Sequence, residues 1–429
     1  MILNRKIYIV LKEIIIMVTK YDIFEIIYRY QHPIKPIEVL KILNKSEREY
    51  DNILRLINEL LNENLIVKTP YGFQIKKTEK TKNLYDIIYH CLSNDLNYNT
   101  LIDFNLMKFV SLALKQKEIS SKDVTLNSKT LKKYIDILNE NGLILIISEK
   151  PLRAKVFYNI LLNNLLVYFG YKHEIITEDN LDYLDKISRE LSLFRKLRKG
   201  KEQKYGQIID ELDVCFIYHS LSLEGNPITL PQTRKILKDK IIPSNLRIND
   251  VDEIKNYQKA IFQMVQDSQN KKPLTIPTIL SYHALAMAHI IEIAGKIRKT
   301  EVYIKGNPHF RITKSEKLEE ELDKLLKDYN EFINKKSSLK EILAFAVYFH
   351  NEFQHIHPFI DGNSRITRLI TFHLLQSKEI PIIDIPVGLL DEYLSYTKGS
   401  KNREDFKLYK TLQKIVLFNL KKINEKLLA

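Results

Sequence analysis

Tryptophan is absent from this chain of 429 residues, cysteine occurs twice, glycine 11 times and proline 13 times. Two cysteines, Cys91 and Cys215, cannot form a disulfide framework, and their scarcity fits a reducing cytoplasm. No Cys/His spacing suits a structural zinc site, and His350, His355 and His357 lack the His-Glu-x-x-His pattern. Long apolar runs are missing too. The stretch Ile7 to Val18 is broken by Lys12 and Glu13 and is too short to span a bilayer, so no membrane partner is expected. No small-residue cleavage site follows it, and Met17 is a candidate initiation residue. Few glycines and few alternating apolar stretches leave helix as the main element.

What is present is basic charge, a net +14 on a chain that is 45% hydrophobic. That length suffices for two or three domains, and the positive field favours polyanions without proving contact with one.

The most informative stretch is His357-Pro358-Phe359-Ile360-Asp361-Gly362-Asn363-Ser364-Arg365-Ile366-Thr367-Arg368. Gly362-Asn363-Ser364 makes a turn of small residues before a helix whose apolar positions are Ile366, Leu369, Ile370 and Leu374. Backbone N–H groups at such a turn cradle phosphate. Arg365 and Arg368 stand three apart on the first turn, and guanidinium forks suit phosphate oxygens. Asp361 is a hard oxygen ligand for a Mg²⁺ shared with phosphates. His357 can act as a general base near neutral pH. Taken singly, these residues fit helix capping and a solvated face; taken together, they predict a nucleoside-triphosphate site.

The string resembles the signature of Fic-domain proteins, His-Pro-Phe-x-Asp-Gly-Asn-Gly-Arg-x-x-Arg, with Ser364 in place of the last glycine. The resemblance implies a helical core that moves AMP from ATP to a hydroxyl of a target protein. His357 would be the base, Asp361 would hold Mg²⁺ (or Mn²⁺), and Gly362, Asn363, Ser364, Arg365 and Arg368 would bind the triphosphate. Upstream, His219-Ser220-Leu221-Ser222-Leu223-Glu224-Gly225-Asn226 ends a helical stretch. It resembles the family's inhibitory motif, Ser/Thr-x-x-x-Glu-Gly/Asn, placed before the core as in class II. Ser220, Glu224 and Gly225 occupy its positions, and Glu224 would pair with Arg368. Val302, Tyr303 and Ile304, bounded by Gly295 and Gly306, are similar to the flap, a short β-hairpin that receives the target. Tyr393 and Tyr396 are candidates for stacking on the base or for the core.

The front half rests on pattern alone. Residues 21–75 read as helices Ile23 to Tyr30, Pro36 to Ile42 and a third capped by Ser46, then strands around Thr69-Pro70-Tyr71: the order of a winged helix. Residues 103–159 repeat it, with helices from Phe104 to Leu114, from Ile119 to Val124 and a third capped by Ser128, then a strand pair around Glu149-Lys150-Pro151. The fold expected is mainly α, a helical Fic core with a short β-hairpin flap behind tandem α+β winged helices. The expected divisions are 1–80 and 81–165 for the two winged helices, 166–204 for a helical connection, and 205–429 for the Fic domain with its inhibitory helix. Lys129, Lys132, Lys133, Arg153 and Lys155 make the second unit the better candidate for DNA. Alternatives to adenylyl transfer are a nucleotide-sensing regulator, transfer of another group, and removal of AMP. The sequence leaves the target protein and the oligomeric state open, a homodimer included.

Overall fold

The computed structural model describes residues 18–122, 125–171, 181–304, 307–381, 384–397 and 402–429. Met17 and nearly all of the Ile7–Val18 run lie outside them. The chain divides into two compact units, Met1–Leu112 with Ile160–Glu174, and Ala113–Asn159 with Ile175–Ala429. This division runs through the segment 81–165.

In the first unit, the helix Lys20–Tyr30 starts on a capping box: Thr19 Oγ1 accepts the Asp22 N–H, and the Asp22 carboxylate accepts the Thr19 N–H at 2.7 Å. Pro36 opens the helix Pro36–Ile42. Ser46 does not cap the third helix. A 3₁₀ turn, Glu47–Glu49, intervenes, closed by the Glu49 N–H on the Ser46 carbonyl at 3.0 Å, and the helix proper is Tyr50–Asn62. That helix buries Ile53, Leu56, Ile57 and Leu60, a stripe at helical spacing. Ile66–Thr69 then pairs antiparallel with Gly72–Ile75. The helices Glu79–Ser93 and Ile160–Tyr168 pack against each other to complete the unit.

The second unit opens with a three-stranded sheet in which Leu152–Val156 lies between Ile119–Ser120 and Ile144–Glu149. The helix expected from Ile119 is therefore replaced by strand. The buried, β-branched Ile119 pairs with Ala154 and Ser120 with Arg153; Val124 lies outside the described residues. Asn127, not Ser128, caps the helix Ser128–Glu140, its Oδ1 accepting the Thr130 N–H at 2.8 Å. Lys129, Lys132 and Lys133 are exposed on that helix, whereas Arg153 is paired with Glu118.

Around the remaining helices the core is continuous. Its centre is Asn363–Ser377, packed against Ile248–Gln269, Leu339–Ile356 and Ile276–Ala286. This helix is buried on every side yet carries Arg365, Thr367, Arg368, Thr371 and His373. Most of their polar atoms find partners internally, Arg365 Nε and His373 Nε2 excepted. Thr367 and Thr371 donate to the carbonyls four residues back at 2.8 and 2.7 Å, and His373 Nδ1 meets Tyr329 Oη at 2.5 Å. The arginines set the harder problem, and its solution defines the site.

Buried histidines also set a pH dependence. Burial pushes His350 and His373 down to about 4. Their contribution to stability is complete above the unfolded value near 6.5. It is lost as pH falls toward 4, at up to about 1.4 kcal/mol per pH unit for each. Asp213, which burial and then Asp210 push up to about 7, works the other way and offsets one of them. The urea midpoint is expected to fall between pH 6.5 and 5, and to fall less in His373→Asn; a flat midpoint would refute the assignment.

Candidate active site

Between the helices Leu339–Ile356 and Asn363–Ser377 lies the six-residue connection His357–Gly362. His357 closes the first helix in the left-handed region at φ 51°, and Gly362 opens the second at φ 83°. Phe359 is the anchor between them, fully buried and stacked on His283 at 3.7 Å between ring centroids. Asn363 turns its side chain back into the loop. Its amide donates to the Phe359 carbonyl at 2.8 Å and its carbonyl accepts the Phe359 N–H at 2.9 Å. The side chain thus braces the loop against the start of the helix.

His357 Nδ1 lies 3.2 Å from the Gln354 carbonyl. A carbonyl only accepts, so Nδ1 carries the proton and the basic lone pair is at Nε2. His283 fixes the other end of the loop. Its Nδ1 accepts the Gly295 N–H at 2.9 Å, so Nε2 donates to the Asp361 carbonyl at 2.9 Å. Burial keeps this imidazole neutral by pushing it down to about 4.

Gly362 is required twice over. Its φ is left-handed, and a Cβ there would sit 2.9 Å from Met287 Sδ and 3.1 Å from His283 Nε2. Gly362→Ala is expected to cost about 1–3 kcal/mol of strain and crowding. A lowered melting temperature would register it; an unchanged one would show that the turn tolerates the methyl.

Both arginines are buried, not a solvated face, and they take different partners. Arg365 is paired with Glu253 and lies 3.0 Å from Asp361. Arg368 donates from Nε to Ser220 Oγ at 2.6 Å, and from Nη2 to the Ser220 carbonyl at 2.9 Å and to Glu224 Oε1 at 3.0 Å. Burial alone would pull the Arg368 guanidinium down; the charge of Glu224, foremost among its neighbours, holds it above the ordinary arginine value instead. Ser220 Oγ also donates to Tyr257 Oη at 2.9 Å, which donates to the Arg365 carbonyl at 3.2 Å. One network thus joins the end of the helix Glu202–Ser222 to the first turn of Asn363–Ser377. Gly225, at φ 94°, turns the chain out of that helix, and Asn226 donates to Glu253 at 2.7 Å.

Asp361 is exposed and is the one carboxylate of the connection, with Oδ1 on the Gly362 N–H at 2.5 Å and Oδ2 toward Arg365. Among the described residues no three His, Cys, Asp or Glu side chains converge as a metal cage. A single carboxylate beside a phosphate cradle nonetheless suits Mg²⁺, which is commonly held by one or two carboxylates, substrate phosphates and water.

Residues 273–375 match the sequence model of the Fic/DOC family. This stretch is a Fic/DOC domain. The chain is 30% identical over 231 residues to a protein named protein adenylyltransferase Fic from Drosophila persimilis, an alignment covering 52% of this chain and 42% of that one. The protein of the same name from Drosophila melanogaster is 30% identical over 229 residues, 52% of this chain and 44% of that one. The chain thus spans less than half the length of these relatives. The crystal structure of a Fic-domain-containing signalling protein from Bacteroides thetaiotaomicron superposes with a TM-score of 0.51 at 21% identity, over 56% of this chain and 97% of that one. It shows the helical fold of the Fic domain.

Sequence reasoning missed Glu253, His283 and Arg298 as parts of the site. Glu253 lies in a charged helix start that reads as surface, and 112 residues separate it from Arg365. The expected flap strand is absent: Val302, Tyr303 and Ile304 form no ladder, and Tyr303 is 83% exposed. A strand needs a partner's hydrogen bonds, and no described segment supplies them here; Lys305 and Gly306 lie outside the described residues. Tyr393 is core, its hydroxyl 2.8 Å from His350 Nε2, and Tyr396 is partly buried against the core.

Proposed function

We propose that this chain is a protein adenylyltransferase that transfers AMP from ATP to a hydroxyl side chain of a target protein and is held in check by Glu224. The observation that carries the reading is the short connection itself. It sets an imidazole with its basic nitrogen at Nε2 six residues from a helix N-terminus whose first-turn N–H groups have no partners within the helix. In this reading the target hydroxyl gives its proton to His357 Nε2. The hydroxyl oxygen forms a bond to the α-phosphorus, the bond from that phosphorus to the bridging oxygen breaks, and pyrophosphate leaves with the electron pair. The N–H groups of Asn363 to Arg365 bind phosphate oxygens, and Arg368 takes the γ-phosphate once Glu224 releases it. Asp361 would hold Mg²⁺, which when bound neutralises charge on the departing phosphates. Positioning and charge stabilisation carry most of such a transfer.

The restraint follows from sharing. Arg368 is held through Nε and Nη2 by Ser220 and Glu224, so a γ-phosphate and the Glu224 carboxylate compete for one guanidinium. The names of the Drosophila relatives agree with the transfer. The test is labelled ATP given to wild type, Glu224→Gly and His357→Asn, with the outcomes argued in the Discussion.

A further inference from the structure

We propose that Arg298 is a positioning residue that fixes the catalytic backbone at His357 and the base of the target-side loop through one buried guanidinium. Lys296 and Lys299 on either side of it are exposed, whereas Arg298 has no exposed side-chain surface. A buried cation is costly unless its donors are engaged. Here the partners are almost all backbone. Nε donates to the His357 carbonyl at 2.8 Å, Nη1 to the Thr300 carbonyl at 2.9 Å, and Nη2 to the Thr313 carbonyl. The Arg298 N–H donates to the Pro358 carbonyl at 2.9 Å. The one carboxylate within reach, Glu301 at 3.5 Å, is half exposed.

These partners are distant in sequence and adjacent in function. Thr300 and Thr313 are the two feet of the loop that carries Val302, Tyr303 and Ile304. Thr313 is tied again by its N–H on the His355 carbonyl at 2.8 Å. His357 stands at φ 51°, a region uncommon for residues other than glycine, and Arg298 holds the carbonyl that follows that torsion. The same guanidinium therefore sets the base and the platform beside it. A lysine keeps the charge but is a single point and cannot serve three carbonyl directions.

The kinetic arm of the test rests on the transferase reading. In a Glu224→Gly background, Arg298→Lys is expected to lower the saturating rate of self-labelling roughly 10- to 100-fold, the cost of displacing a reacting group by about 1 Å. The ATP concentration at half-rate should stay within about twofold, because the phosphate cradle is untouched. The acid limb of the pH–rate profile, which reports His357 as base, should flatten. An unchanged rate overturns the proposal, as does a loss that appears wholly in the ATP requirement. Hydrogen exchange, which needs no activity, supplies the second arm: Arg298→Lys should exchange faster in peptides covering 300–315 and 355–358 and be unchanged elsewhere. If Glu224→Gly labels nothing, the transferase reading falls and this exchange pattern alone decides; its absence overturns the clamp.

Discussion

Glu224→Gly is expected to raise self-labelling with ATP roughly 10- to 100-fold over the wild-type chain, the span of a coupling free energy of about 1–3 kcal/mol. The reasoning is competition at a fixed point. Arg368 is buried and cannot swing out to meet a phosphate, so the phosphate must come to it and displace the carboxylate now 3.0 Å away. Ser220 stays on the guanidinium through two hydrogen bonds after the substitution, which keeps Arg368 aimed while its anionic partner is gone.

The same change should destabilise the nucleotide-free protein. Removing one partner of a buried pair typically costs about 3–5 kcal/mol; the surviving bonds to Ser220 place this case at or below the lower end. ATP should then raise the melting temperature of Glu224→Gly by more than that of wild type, because the triphosphate restores a negative partner to Arg368. Equal silence from wild type and variant, with ATP still bound by both, would favour a nucleotide sensor over a transferase.

How much of this was legible beforehand follows from chain distance. The motif from His357 to Arg368 is contiguous, so its residues announced one another, and the helix through Ile366, Leu369, Ile370 and Leu374 followed from spacing. The Glu224–Arg368 contact spans 144 residues, and it was anticipated because the upstream motif resembles a family pattern, not because periodicity pointed to it. Glu253, His283 and Arg298 carried no such mark. Each looked like an ordinary helix or loop residue until the fold placed it against the motif loop. The local errors have local causes: a 3₁₀ turn displaced the cap expected at Ser46, and a two-residue strand stood where six residues had read as helix. Short segments carry too few positions for period to decide.

His357 sets the second large effect, and its backbone dictates how to measure it. Alanine at φ 51° would lose the base and also strain the turn, confusing chemistry with folding. Asparagine tolerates the left-handed region and can donate its amide to the Gln354 carbonyl, yet has no basic nitrogen. His357→Asn is therefore expected to keep its melting temperature within a few degrees and its ATP affinity within about twofold, while transfer falls by about 10²–10⁴, the usual worth of general-base catalysis. The effect should persist when Glu224→Gly is added, because release of Arg368 repairs phosphate binding and leaves the hydroxyl proton without an acceptor. A double variant that labels like Glu224→Gly alone would mean that the proton leaves by another route, and His357 would lose its assignment as base even with the rest of the site intact.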